Sequence, residues 1–228
     1  MAPNTIPEYL KLDKPVAILV DGAFFLNRYR VVYPNGSTHT AQQIAKQMYT
    51  MLLSHLQGEK LYRILFYDCP PFMKKVQNPI SKQPVDMSKT PTAIFRQEFH
   101  KELKKMRKVA IRLGYLKGFD WKIDPVKTRD LLNGKIQLSD LTENDVSYDI
   151  QQKGVDIKIG LDIASITQKK LVDRIILVSG DADFVPVAKH ARREGVDFVL
   201  DPMWKHIDES LLEHVDGIKS YCPKPTYP

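Results

Sequence analysis

Short apolar runs alternate with amphipathic stretches along this chain. Val16-Ala17-Ile18-Leu19-Val20 contains no polar member and stops at Asp21-Gly22. Such a run fits a strand buried on both faces that feeds a tight turn. A short helix is expected over Phe24–Arg30. Between Ser37 and Leu56, Ile44, Met48, Leu52 and Leu56 recur every four residues, one face of a helix that Gly58 stops. Leu61–Tyr67 reads as a second strand, ending at Asp68-Cys69-Pro70-Pro71. Five prolines between 68 and 91 mark a long loop. Thr90-Pro91 fits a helix start, and that helix is expected to run to about Lys108. Val109–Leu116 is read as a strand, with Phe119–Ile123 extending it or pairing with it. Residues 124–147 are polar and irregular. A helix (Gly154–Thr167), a strand (Arg174–Val178), a helix (Phe184–Glu194), a strand (Val196–Leu200) and a short helix (His206–His214) complete the pattern. Helices between short apolar strands imply parallel crossovers and an α/β architecture.

Composition leaves that picture intact. The chain has 228 residues, 43% hydrophobic and 27% charged, with two cysteines, Cys69 and Cys222. Two cysteines make neither a disulfide framework nor a zinc site. No run approaches the roughly 18 apolar residues of a membrane helix, and Met1–Lys14 lacks the apolar core of a signal peptide. The expectation is a soluble, cytoplasmic protein. Charge adds an asymmetry: residues 1–130 hold 22 Lys/Arg against 11 Asp/Glu, whereas 131–228 hold 12 against 16. A basic part suits a polyanion and an acidic part suits cations.

Ligands of open parallel sheets bind beyond the carboxyl ends of the strands. Asp21, Asp68, Asp181, Asp183 and Asp201 all follow predicted strands. Asp201 before Pro202 reads as a turn, and Asp183 before Phe184-Val185-Pro186 fits a helix cap. Capping needs only one of Asp181 and Asp183, so the pair points to more. Crowded carboxylates raise each other's pKa unless a cation intervenes, and oxygen-rich clusters suit magnesium or manganese. Asp156 and Asp162 share the helix after Gly154, but six residues place them about 240° apart around its axis. One of them is expected to face the site, and helix geometry alone does not choose which.

Phosphate-loop, Gly-x-Gly-x-x-Gly and Gly-x-Ser-x-Gly patterns are absent, and the six histidines lack His-Glu-x-x-His spacing. Carboxylate-and-metal chemistry remains.

Three segments then carry a family likeness. They are Val16–Gly22, Lys153-Gly154-Val155-Asp156-Ile157 through Leu161-Asp162-Ile163, and Ser179-Gly180-Asp181-Ala182-Asp183-Phe184. In order and spacing they resemble the NYN domain of the PIN-like nuclease superfamily. The LabA-like (DUF88) branch is the most similar, Tyr67-Asp68-Cys69-Pro70-Pro71 included. The resemblance spans about Lys14 to Gly217, with 1–13 and 218–228 as terminal extensions and a divergent segment at about 69–147. It implies a PIN-like sandwich, a central mainly parallel sheet flanked by helices. It also implies an acidic pocket for Mg²⁺ or Mn²⁺ and a ribonuclease acting on single-stranded RNA. Carried over by position, Asp21, Asp156, Asp181 and Asp183 are the catalytic and metal-binding carboxylates, with Asp162, Ser179 and Asn27 in supporting roles. Many family members carry Asn soon after the Asp-Gly; here that place holds Phe24, and Asn27 is the nearest asparagine.

The segment 96–108 adds six bases, Arg96, Lys101, Lys104, Lys105, Arg107 and Lys108, beside an apolar face of Phe95, Phe99, Leu103 and Met106. That pattern fits a helix packed by one face and offering its bases to a phosphate backbone. Tyr115, Phe119 and Trp121 are candidates for stacking on unpaired bases. The competing expectations are a PIN-like module that binds RNA or a protein without cutting, and a DNA nuclease. A homodimer is compatible with the sequence but has no signature in it.

Overall fold

In the computed structural model, which describes residues 14–225, the first apolar run forms β1 (Val16–Asp21). Val16 to Val20 are fully buried. A strand with no exposed side chain needs neighbours on both edges and cover on both faces, and β1 has them. The chain continues through α1 (Gly22–Val32) and α2 (Ala41–Ser54) into β2 (Leu61–Asp68). It then makes a small hairpin, β3 (Lys75–Gln77) with β4 (Pro84–Asp86), inside the proline-rich stretch. Next come α3 (Pro91–Lys104), β5 (Val109–Leu113), β6 (Tyr115–Ile123), α4 (Pro125–Leu132) and β7 (Val146–Lys153). The final part holds α5 (Val155–Gln168), β8 (Arg174–Val178), α6 (Val185–Arg193), β9 (Asp197–Asp201), α7 (Glu209–Leu212) and β10 (Gly217–Ile218).

Six strands make one parallel sheet in the order β10-β9-β8-β1-β2-β5. From β1 the chain builds outward through β2 and β5, then returns to lay β8, β9 and β10 on the other side. The order therefore reverses at β1, with β2 on one flank and β8 on the other. Alternation along each strand sorts the core into two layers. Ile18, Val20, Ile64 and Phe66 pack against Phe25, Tyr29, Met48, Leu52, Phe99 and Leu103 of α1, α2 and α3. Leu19, Leu65, Tyr67 and Leu177 pack against Ile159, Ile163 and Ala188 of α5 and α6. The α/β sandwich expected from the sequence is the observed fold. The four-residue stripe of α2 is buried as anticipated, and the helix starts at a Thr40–Gln43 capping box rather than at Ser37.

Three expectations in the middle of the chain need correction. The strand read over Val109–Leu116 is two strands. At Gly114 the ideal position of a Cβ lies 2.5 Å from the Lys153 carbonyl oxygen, so only glycine allows the approach at which the chain leaves the main sheet. Beyond it, β6 pairs antiparallel with β7, joining Tyr115 to Lys153 and Ile123 to Val146. Residues 124–147 are not wholly irregular, because Asp124 caps α4 through the backbone N–H groups of Val126 and Lys127. The helix expected to reach Lys108 ends at Lys104, and Lys108 has a φ of 61°. At the C-terminus, residues 218–225 are not a detached extension. Ser220 bonds to Asp201, and Cys222 is buried in the core. The extension 1–13 lies outside the described residues.

The turn after β1 has no spare volume. A Cβ on Gly22 would sit 2.5 Å from the Tyr67 carbonyl oxygen and 2.7 Å from the Phe66 ring. Gly22→Ala is therefore expected to lower stability by about 1–3 kcal/mol, the usual range for overpacking. It would be read as an earlier urea midpoint at unchanged slope, and an unmoved midpoint would contradict the packing argument.

Candidate active site

Five aspartates stand at or just past the carboxyl ends of sheet strands, and their partners divide them. Asp68 is fully buried. It accepts from Arg96 Nη1 and lies 2.8 Å from His100 Nε2, so both oxygens are engaged. Asp201 is also fully buried. It holds Ser220 Oγ at 2.6 Å, the Met203 N–H at 2.8 Å and His55 Nε2 at 2.9 Å. These two stitch helices and the C-terminal segment to the sheet. The ion pairs formed among the described residues involve none of Asp21, Asp156, Asp181 and Asp183.

Local folding explains where those four stand. Asp21 ends β1 and caps α1, accepting the Phe24 N–H at 3.1 Å. Asp181 follows β8 across the Ser179-Gly180 turn and caps the 3₁₀ turn Ala182–Phe184 through the Asp183 N–H at 3.0 Å. Val20 pairs with Val178 in the sheet, so Asp21 and Asp181 flank the gap between β1 and β8, where the strand order reverses. That is where open α/β sheets bind ligands. Gly154 adopts a φ of 76°, starts α5, and places Asp156 in its first turn.

Electrostatics ties the four together. Burial pushes the Asp21 carboxyl up to about 6, and the charges of Asp156 and Asp181 add to the rise against its backbone hydrogen bonds. Asp156 is also raised, by burial and by Asp181 and Asp183. The two helix carboxylates that geometry left open differ in their partners. Asp162 accepts from the Tyr67 hydroxyl at 2.8 Å and pairs with Arg112 Nε at 3.0 Å, which turns it to the outer strand of the sheet. Ser179 is fully buried, and its Oγ has no hydrogen-bond partner among the described residues. Asn27 is exposed on α1 and shares no hydrogen bond with the four carboxylates.

This donor set fits a hard divalent cation. It is all oxygen, it forms no ion pair among the described residues, and it carries mutual repulsion that a cation would relieve. The carboxylates are not drawn into a closed shell. Among the described residues no three His, Cys, Asp or Glu side chains converge closely enough to hold an ion.

The basic segment is arranged differently from its sequence reading. Arg96 is tied to buried Asp68. Lys105 pairs with Glu102 at 2.5 Å, and Lys108 donates to the Leu61 carbonyl at the start of β2. Lys101, Lys104 and Arg107 are exposed. Because α3 runs back across the sheet to the start of β5, residues 101–108 lie at the edge opposite the four carboxylates. Eight-residue β2 separates the two edges by about 23 Å. Trp121 packs edge-on against Tyr148, and Tyr115 is 60% exposed beside Gly154. The side chain of Phe119 lies outside the described residues. Lys205, which the sequence reading passed over, lies with its Nζ 5.6 Å from the Phe24 ring centroid and its Cδ 3.3 Å from a Cβ position on Gly180. Its place just after β9 was the available signal.

The burial of Asp21, with like-charge crowding added to it, has a measurable consequence. A carboxyl raised from 3.8 to about 6 on folding favours the protonated native state, so stability falls as pH rises from about 4 to about 6 and is flat above. Asn caps helices as well as Asp does. In EDTA, Asp21→Asn is therefore expected to be more stable than the parent by about 1–3 kcal/mol at pH 8 and indistinguishable from it below pH 4. Urea unfolding at the two pH values checks this; a variant that is weaker at pH 8 would refute the crowding.

Comparison with known proteins adds a structural likeness and a family match. A search of curated proteins finds no match. Among solved structures, a protein of unknown function from Vibrio parahaemolyticus RIMD 2210633 is similar, with 20% identity and a TM-score of 0.49. That likeness covers 90% of this chain and 91% of the other. The sequence profile of the NYN domain matches residues 65–217, a span that begins within β2 and holds Asp156, Asp181 and Asp183. The chain belongs to the NYN domain family of PIN-like nucleases.

Proposed function

We propose that the chain is a metal-dependent ribonuclease that hydrolyses single-stranded RNA at the edge formed by Asp21, Asp156, Asp181 and Asp183. The observation that carries this reading is the gathering, at the β1/β8 switch point, of four carboxylates that form no ion pair among the described residues. Asp21, Asp156 and Asp181 would hold Mg²⁺ or Mn²⁺, and Asp183 would complete the site or orient the attacking water. Such an ion, when bound, supplies Lewis-acid polarisation of the phosphate, a more acidic water and charge stabilisation for the leaving oxygen. The protein's own contribution is positional. Asp21 and Asp181 are fixed by their capping bonds, the Gly22 contact fixes the turn beneath Asp21, and Lys205 places a positive charge beside Gly180. Placement in the LabA-like branch rests on the Tyr67-Asp68-Cys69-Pro70-Pro71 strand end. The bases at 101–108 would serve only an RNA long enough to run from one sheet edge to the other.

The second reading, a module that binds RNA or a protein without cutting, draws on one observation: the carboxylates do not converge into a ligand shell. Cleavage separates the two. Labelled mixed-sequence RNA would be incubated with Mn²⁺, Mg²⁺ or EDTA, with Asp181→Asn alongside and a DNA flap substrate in parallel. Metal-dependent cutting of RNA, reduced more than about 100-fold in the variant, is expected, since even outer partners of a metal typically cost 10–100-fold. Equal cutting by both proteins would refute the site. RNA binding without cutting would favour the module, and cutting confined to the flap would favour a DNA nuclease. Metal binding has a readout of its own, because an ion bound only to the native state raises the melting temperature. Mn²⁺ is expected to raise it in the parent and to raise it less in Asp21→Asn; equal shifts would place the ion elsewhere.

A further inference from the structure

Beside the carboxylate edge the divergent segment builds a pocket of about 300 Å³ between the start of α3 and the β6–β7 ribbon. Its walls are mostly apolar, formed by Pro71, Phe72, Leu116 and Ile150, and its polar lining includes Thr92, Arg96 and Gln152. That size and lining, an apolar cleft with a few polar groups, are those of a small-ligand site. Thr92 and Gln152 are exposed, so they form a wet rim. Two features make the pocket a built site. Phe72 is braced from behind, stacked on Tyr148 at 5.4 Å and 28°, and Tyr148 in turn meets Trp121 edge-on at 5.7 Å. Arg96 is held by Asp68 through Nη1 alone. Its Nε and Nη2 groups have no acceptor among the described residues, and its side chain is 18% exposed.

The pocket is close to the proposed chemistry. Gln152 precedes Asp156 by four residues, at most about 14 Å of chain. On the other wall, Pro70 follows Cys69, whose thiol is raised by burial and feels the charge of Asp156. A strand whose phosphate lies at the carboxylates therefore brings a neighbouring base to the pocket mouth. We infer that this pocket seats an unpaired base of single-stranded RNA and that Arg96 selects the bases offering two adjacent acceptors, guanine and cytosine. Guanine presents O6 beside N7, and cytosine presents O2 beside N3. Adenine and uracil alternate donor with acceptor along each edge, so the remaining fork of Arg96 finds only one acceptor there. Phe72 and the prolines supply the flat apolar contact that any base accepts. The inference extends the nuclease reading by naming a substrate subsite.

Its test reads binding rather than cutting. The full chain in Ca²⁺ would be titrated against labelled nine-residue oligouridines carrying one central G, C, A or U, by fluorescence anisotropy. The G and C oligonucleotides are expected to bind about tenfold more tightly than the A and all-U ones. Arg96→Lys keeps a charge for Asp68 but loses the fork, and Thr92→Tyr fills the mouth from its exposed rim without touching the Asp68 pair. Both are expected to bring the four oligonucleotides within twofold of one another. Equal affinities in the parent, or a preference that survives both variants, would overturn the subsite. A parallel gel with Mn²⁺ keeps the two readings apart. Cutting without base preference leaves the nuclease and removes the subsite, whereas preference without cutting leaves the subsite and removes the nuclease.

Discussion

Every side chain from Val16 to Val20 is shut away from water, and the arrangement of the molecule follows from that. A strand buried on both faces must be sandwiched between helical layers, and one with both edges hydrogen-bonded must have strands on each side. The chain meets both demands by building β2 and β5 to one side and returning with β8 to the other. The reversal leaves a gap at the carboxyl end of β1 that no crossover helix fills. Asp21, the last residue of β1, and Asp181, three residues past the end of β8, stand at that gap.

Stability and proposed function pull in opposite directions there. Asp68 and Asp201, at the ends of β2 and β9, show how the fold uses a buried carboxylate for cohesion: each oxygen has a hydrogen-bonding partner. Asp21 has a backbone cap but no cation, and its neighbours are Asp156 and Asp181. An uncompensated cluster destabilises the native state at neutral pH, whereas an asparagine at the same position would cap α1 without the repulsion. Charge placed where a neutral cap would serve is the physical argument behind the proposed cation site.

Much of this was legible in the sequence because it depends on local pattern. Unbroken apolar runs gave the central strands, four-residue spacing gave α2, and the placement of Asp after those runs gave the candidate carboxylates. What the sequence hid depends on contacts between distant residues. Asp68 and Asp21 look alike in one dimension, and only the arrival of Arg96 and His100 from α3 distinguishes them. Asp156 and Asp162 share one helix, and Tyr67 with Arg112 decides between them. The β6–β7 ribbon joins residues from Tyr115 to Lys153, a pairing that neither strand announces on its own. Direction was hidden as well. The bases of 101–108 form a credible cationic cluster, but a crossover helix carries them to the far edge of the sheet.

The ribbon also stands apart from the sheet, so the proposed base subsite beside it can be reshaped without disturbing the sheet. It contributes nothing to the six-stranded ladder, since Gly114 ends the β5 pairing and, among the described residues, β6 pairs as a strand with β7 alone. Its aromatic stack of Phe72, Tyr148 and Trp121 is assembled outside the two main core layers. Substitutions there can reshape the pocket while β1, β2 and β8 keep their registers. Arg96 is the exception, because it both pairs with buried Asp68 and lines the pocket. The Asp68 bond holds the guanidinium, and a donor fork fixed before binding loses little conformational freedom when an acceptor arrives.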